Sequence, residues 1–203
     1  MDLDTMLESL HTQGWCVWDD FLSANEISAL LQCLPSEWSQ AGIGRQDAHT
    51  HVASIRSDKI HWLKEEMGQP VHHYLDKMEV IRQAANRYLY LGLFEYEAHF
   101  AKYEQGDFYK KHRDSFRGKA NRILTTVLYL NDQDWQETDG GELVIYNDDD
   151  SFLTKLVPKG GRLVMFLSED FPHEVLPAHR PRFSIAGWFR LNGVSAGSLD
   201  IAV

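Results

Sequence analysis

The chain has 203 residues, a formal charge of −10, 43% hydrophobic and 12% aromatic residues. That is globular composition with enough apolar mass for a real core; it excludes a disordered chain, and the acidic balance argues against a nucleic-acid partner. Two cysteines without a CxxC spacing make no disulfide framework, and the acidic start "MDLDTMLESL" with no long apolar run predicts neither signal peptide nor membrane span, so a cytoplasmic protein with no membrane partner is expected.

In chain order, the first half reads mostly helical. "DLDTMLESLHTQG" is a short helix stopped by Gly14. "WCVWDDFL" alternates apolar and polar residues and reads as a strand. "SANEISALLQCLP" opens on Ser23 with Glu26 three residues later, a capping box before an apolar run. The longest helical segment is expected from Val71 to Leu91, ending near Gly92. Beyond Gly92 the texture is β. "EYEAHFAKY", "RILTTVLYLN", "GELVIYN", "TKLVPKGGRLVMFL", "HEVLP" and "RFSIAGWFRL" are rich in aliphatic and aromatic residues, and "DQDWQETDGG", "NDDD" and "KGG" supply turns. Many short antiparallel strands predict a sandwich or jelly roll with the helices packed on one outer face. The expectation is an α+β chain forming one domain over 1–203, with 1–92 mainly helical and 93–203 the β core.

The stretch "YKKHRDSF", Tyr109 to Phe116, contains His-Arg-Asp, as a kinase catalytic loop does. Lys119 stands where such a loop needs a magnesium-binding asparagine, and no glycine-rich loop or Asp-Phe-Gly is present, so the kinase reading fails. On a strand, residues i and i+2 share a face, so His112 and Asp114 are expected to point into the barrel while Arg113 points away. Such a pair is two-thirds of the two-histidine, one-carboxylate triad that leaves open positions on iron(II). The third ligand is expected on a later strand: His173 in "DFPHEVLPAH" is the best candidate and His179 its rival. His11, His49, His51, His61, His72 and His73 lie in the helical half and are read as ordinary structural or surface residues. Arg182 follows His173 by nine residues and opens an apolar strand. It needs an anionic partner, either an acidic residue on the outer face or the far carboxylate of a 2-oxo acid chelated at the metal.

The ordered set His112-x-Asp114, His173 and Arg182 resembles the 2-oxoglutarate- and iron(II)-dependent dioxygenases. More narrowly, "HEVLPAHRPRFSIAGWF", "FAKYEQGDFYKKHRD", "RILTTVLYLND" with "DGGELVIY", and "IRSDKIHWL" resemble stretches of the hypoxia-sensing prolyl hydroxylases and their bacterial relatives. The resemblance covers about Ile55 to Arg190. It implies a double-stranded β-helix (jelly roll) core, with His112, Asp114 and His173 as the iron ligands. It puts Arg182 and the Tyr129 hydroxyl on the far carboxylate of 2-oxoglutarate, Tyr103 near the chelating end, and Val127 and Leu143 as apolar walls. Arg122 and Trp188 would border a substrate proline, and Arg56 and Asp58 would support or cover that entrance. Two departures are visible: the connection "SFRGKAN" is short for a substrate-gripping loop, and His99 stands where relatives often carry an apolar pocket residue.

The implied activity is that of a protein prolyl 4-hydroxylase, which consumes oxygen and 2-oxoglutarate and releases succinate and carbon dioxide. Ascorbate is the expected reductant. The expected partner is a protein with a prolyl target, elongation factor Tu by analogy with bacterial relatives. The competing readings are a dioxygenase for another side chain or a small molecule, and a jelly-roll module that binds a metal without turnover. A zinc hydrolase lacks an identifiable water-activating acid.

Overall fold

The computed structural model describes residues 1–42, 54–115 and 121–191, together with the backbone of 193–195 and 198–200. Helix α1 spans Leu3–Gln13; Asp2 caps it by accepting from the Thr5 amide, and Gly14 ends it at φ 78°. Its buried face, Met6, Leu7 and Leu10, recurs at helical spacing. Strand β1 is Trp15–Trp18. Helix α2, Ala24–Leu31, carries the expected capping box: Ser23 accepts from the Glu26 amide and the Glu26 carboxylate accepts from the Ser23 amide. Helix α3 runs Gln69–Leu89. It stops two residues before the expected end, because Tyr90 rather than Gly92 takes the left-handed cap conformation.

The first half supplies the expected strand β1 and two strands the sequence did not show, β2 (Ser39–Gln40) and β3 (Lys59–Trp62). The remaining strands are β4 (Glu95–Tyr103), β5 (Tyr109–His112), β6 (Arg122–Tyr129), β7 (Leu143–Tyr146), β8 (Phe152–Leu156), β9 (Leu163–Leu167), β10 (His173–Val175) and β11 (Arg182–Arg190). A terminal pair, β12 (Gly193–Ser195) and β13 (Ser198–Asp200), was not expected. The major sheet has the order β1-β9-β6-β11-β4-β3-β2, and the minor sheet the order β5-β10-β7-β8, with every pairing antiparallel. Together they form the jelly roll.

The period-two pattern of each major-sheet strand sorts its side chains between two cores. Phe100, Leu128, Met165 and Ile185 pack with the helices in one apolar cluster. Their neighbours Ala101, Tyr103, Val127, Tyr129, Val164 and Phe166 point the other way, into a second cluster shared with Leu143, Ile145 and Val175 of the minor sheet. The helices cover one face of the major sheet, and the other face is left for the site.

Candidate active site

Strand β5 ends at His112 and β10 begins at His173, and the two residues sit opposite each other in the antiparallel register. Their rings meet with centroids 4.3 Å apart. Asp114 is not on the strand, as the sequence suggested: β5 stops at His112 and Asp114 lies in a bend. A continued strand would carry residue 114 about 6.6 Å further along its axis; the bend keeps its carboxylate beside the imidazoles. Asp114 Oδ1 is 3.6 Å from His112 Nε2 and Oδ2 is 3.5 Å from His173 Nε2. One ligand atom from each of the three residues lies within 4.8 Å of the others. Arg113 turns outward, with Nη1 3.0 Å from the Asp148 carboxylate and donating to the Glu169 carbonyl.

Both imidazoles are oriented by backbone. His112 Nδ1 lies 2.8 Å from the Lys110 carbonyl and His173 Nδ1 3.0 Å from the Phe171 carbonyl. A carbonyl only accepts, so Nδ1 carries a proton in both rings and Nε2 is the nitrogen turned towards Asp114. Burial, with His112 alongside, pushes His173 down to about 4, which keeps it neutral at physiological pH. Burial works against the charge on Asp114, but His173, His112 and Arg122 outweigh it and hold the carboxyl well below the usual range. Thr125 Oγ1 donates to Asp114 Oδ2 at 2.8 Å and lies 2.9 Å from Ser168 Oγ, which is left to donate to Thr125. Two imidazoles that turn Nε2 towards one carboxylate suit a divalent first-row metal.

Deeper in the barrel, Arg182 is 1% exposed and pairs with no carboxylate among the described residues. Its Nε donates to the Gly141 carbonyl at 2.9 Å and its Nη1 to Ser184 Oγ at 3.2 Å. The guanidinium carbon stands 4.6 Å from the Tyr103 ring centroid and 5.1 Å from that of Tyr129. The register explains this grouping, since Arg182 opposes Tyr103 across β11–β4 and Ser184 opposes Tyr129 across β11–β6. Gly141, at φ +71°, lets the chain pass close to this Arg: a Cβ there would be 2.9 Å from Arg182 Cδ. Among the described residues the Tyr129 hydroxyl is buried with no partner at hydrogen-bond distance, the Arg182 guanidinium lying nearby. Burial raises the phenols of both Tyr103 and Tyr129, so both stay protonated donors. Val127 and Leu143 line the same cluster. A buried guanidinium without a counterion beside an orphaned hydroxyl donor fits a ligand carboxylate.

The 2OG-Fe(II) oxygenase superfamily matches residues 98–190. A solved prolyl-4-hydroxylase from Pseudomonas putida is 38% identical, superposes with a TM-score of 0.85, and is covered over 100% of its chain by 95% of this one. The chain belongs to the prolyl hydroxylase family of 2OG-Fe(II) oxygenases. A second solved relative, the prolyl hydroxylase from Trichoplax adhaerens in complex with a hypoxia-inducible-factor peptide fragment, is 27% identical over 93% of this chain and 88% of its own, with a TM-score of 0.78. The hypoxia-inducible factor prolyl hydroxylase of Caenorhabditis elegans is 30% identical over 91% of this chain. The chain spans only 27% to 58% of the length of the first curated relatives it matches.

Within this family's barrel, the residues expected on the substrate side form two groups. Arg122 stacks on Trp188, its guanidinium carbon 3.6 Å from the ring centroid, and Arg122 Nε donates to Glu97. Glu97 also binds Arg190. Trp188 is buried with its Nε1–H unpartnered among the described residues, and His99 and Trp62 pack against it at 5.5 Å and 6.5 Å. His99 is buried too, and burial, helped by Arg56, pushes it down to about 4. Arg56 and Asp58 form the second group, a two-pronged pair in which Asp58 is 0% exposed.

His179, the rival ligand, faces elsewhere, its Nδ1 2.8 Å from the Thr138 carbonyl. His49, His51 and the connection from Phe116 to Ala120 lie outside the described residues. Sequence reasoning missed Thr125, Ser168, Tyr109 and Trp62. Hydroxyl and aromatic residues in an apolar strand carry no signal until their neighbours are known.

Proposed function

We propose that the chain is a 2-oxoglutarate- and iron(II)-dependent protein prolyl 4-hydroxylase. Its proposed iron ligands are His112, Asp114 and His173. Iron(II) with 2-oxoglutarate and oxygen supplies the oxidising chemistry: one oxygen atom enters the substrate C–H bond as hydroxyl, and the other leaves in succinate as 2-oxoglutarate loses carbon dioxide. The chain's own contribution is positional. Lys110 and Phe171 carbonyls accept from Nδ1 and so turn both Nε2 atoms to the metal position, and Thr125 orients Asp114. Arg182 and the Tyr129 hydroxyl take the far carboxylate of 2-oxoglutarate, Tyr103 covers the guanidinium, and Val127 and Leu143 exclude water. Arg122 and Trp188 form the wall for the target ring, with Arg56 and Asp58 supporting that entrance.

The observation that carries this reading is Arg182, a buried cation without a carboxylate partner, in the same barrel as the His-Asp-His group. A pure metal-binding module needs no such clamp. The proposed target is a prolyl residue of a protein, elongation factor Tu first, in a single cytoplasmic domain with ascorbate as reductant. Likeness to the Pseudomonas prolyl-4-hydroxylase supports the bacterial branch of the family over a hypoxia-factor substrate.

With iron(II), ascorbate and 2-oxoglutarate, the purified protein is expected to release succinate and to add one oxygen to a prolyl residue of a lysate protein, mapped by mass spectrometry. His112→Ala and Asp114→Ala are expected to abolish both signals in a folded protein. No succinate under any condition sinks the enzyme reading. Oxygen on a non-prolyl residue sinks the substrate, and an active His173→Ala beside an inactive His179→Ala sinks the third ligand.

A further inference from the structure

The two proposed histidine ligands are held differently. His173 is 5% exposed, lies between β5 and β7, and has the Phe166 ring 4.7 Å away. His112 closes an edge strand and its side chain is 17% exposed. Besides its carbonyl bond and the neighbouring His173 ring, the imidazole is held by Tyr109, whose ring stacks on it with centroids 3.5 Å apart and planes within 13°. Tyr109 is itself clamped, because the Arg56 guanidinium carbon stands 4.1 Å from the centroid of the same ring.

Arg56 has little freedom of its own. Its Nε and Nη2 donate to the two carboxylate oxygens of Asp58 at 2.8 and 2.6 Å, and Nη1 donates to the Gly42 carbonyl at 3.3 Å. The segment carrying it is stitched along β5: the Lys110 amide donates to the Ile55 carbonyl, the Ser57 amide to the Phe108 carbonyl, and the Phe108 amide to Ser57 Oγ. A contiguous path therefore runs from buried Asp58 through Arg56 and Tyr109 to His112. An imidazole on a divalent metal is electron-poor and gains from an electron-rich ring face; the guanidinium packs on the same ring and holds it in place, and Asp58 neutralises its charge.

We propose that Tyr109 is a positioning residue for the metal, and that the Arg56–Asp58 pair tunes metal affinity through it in addition to any contact with substrate. The inference rests on the reading of His112 as a ligand. Groups that orient a metal-binding histidine typically change affinity by about 10- to 100-fold when removed.

The test is calorimetric titration of the full chain with Mn(II), which needs no turnover, with circular dichroism confirming each fold. Tyr109→Phe keeps the stacked ring and is expected to bind like wild type. Tyr109→Leu is expected to bind about tenfold more weakly. Arg56→Met is expected to weaken binding in the wild-type background and to have no further effect in Tyr109→Leu. A folded Tyr109→Leu with wild-type affinity overturns the proposal, as does an Arg56→Met effect that persists undiminished without Tyr109. A measurement on wild type stands even where a variant does not fold: diamagnetic Zn(II) is expected to shift the NMR signals of the Tyr109 ring and the Arg56 Nε–H. Unmoved signals under saturating Zn(II) overturn the coupling. A wild-type chain that binds neither metal overturns the metal-site reading, and this inference with it.

Discussion

In the role proposed for it, Tyr129 is set for a ligand at the expense of the empty fold. Among the described residues its hydroxyl is buried with no partner at hydrogen-bond distance, and an unsatisfied buried donor costs about 1–3 kcal/mol. Tyr129→Phe removes that donor while keeping the ring. The ligand-free protein is expected to gain about 1 kcal/mol in urea denaturation, while 2-oxoglutarate affinity, titrated with Mn(II) present, falls about tenfold. A destabilised Tyr129→Phe would mean the hydroxyl is satisfied in the free protein. Arg182 was readable in the sequence because a charge opening an apolar strand demands a partner. Tyr129 was reached only through the family resemblance, since by its own residues a tyrosine in "VLYLN" is indistinguishable from core.

At the scale of elements, β11 carries the most. Its even-numbered residues, Arg182, Ser184 and Trp188, serve the barrel, while Ile185 and Phe189 pack towards the helices. Gly187 sits where the strand meets a chain of hydroxyls, Tyr74 to Tyr96 to Thr126 at 2.7 and 2.8 Å. A Cβ at Gly187 would lie 2.2 Å from the Tyr96 hydroxyl oxygen. Gly187→Ala is therefore expected to destabilise the protein by about 1–3 kcal/mol in urea denaturation, as overpacking does. A neutral substitution would show that the Tyr96 ring moves freely. The strands of the second half were legible from their alternation and turn residues. Strand β3 was not: it reads "KIHW" inside a helix-rich half, and only pairing with β4 makes it a strand. The bend at Asp114 escaped for a similar reason, because the carboxylate's position answers to His173 across the sheet.

Across the whole molecule, acid stability is expected to turn on two buried histidines. His99 and His173 are both pushed from an ordinary 6.5 down to about 4, chiefly by burial. Each binds a proton more readily unfolded than folded, so stability is full above about pH 6.5 and falls as pH drops towards 4. Glu26, held in spite of its partial burial at about 2 against an ordinary 4.5 by Lys77 and Ser23, contributes fully above about pH 4.5 and loses that contribution as pH falls towards 2, so it adds to the acid loss rather than offsetting it. Urea midpoints of the metal-free protein are expected to fall between about pH 7 and about pH 5, with a shallower fall in His99→Leu. A flat profile would show that water reaches both rings.

The sequence by itself determined the fold class, the helix caps at Ser23 and Gly14, and the order His112, Asp114, His173, Arg182. Those signals are local: a period of two, a cap three residues long, a charge where apolar residues belong. Only the tertiary structure decided that β5 and β10 set His112 against His173, that among the described residues Arg182 lacks a counterion and Tyr129 a partner, and that Asp58, Arg56 and Tyr109 line up on His112. Burial, stacking and an unmet hydrogen bond are properties of neighbours far apart along the chain, and no short window of sequence contains them.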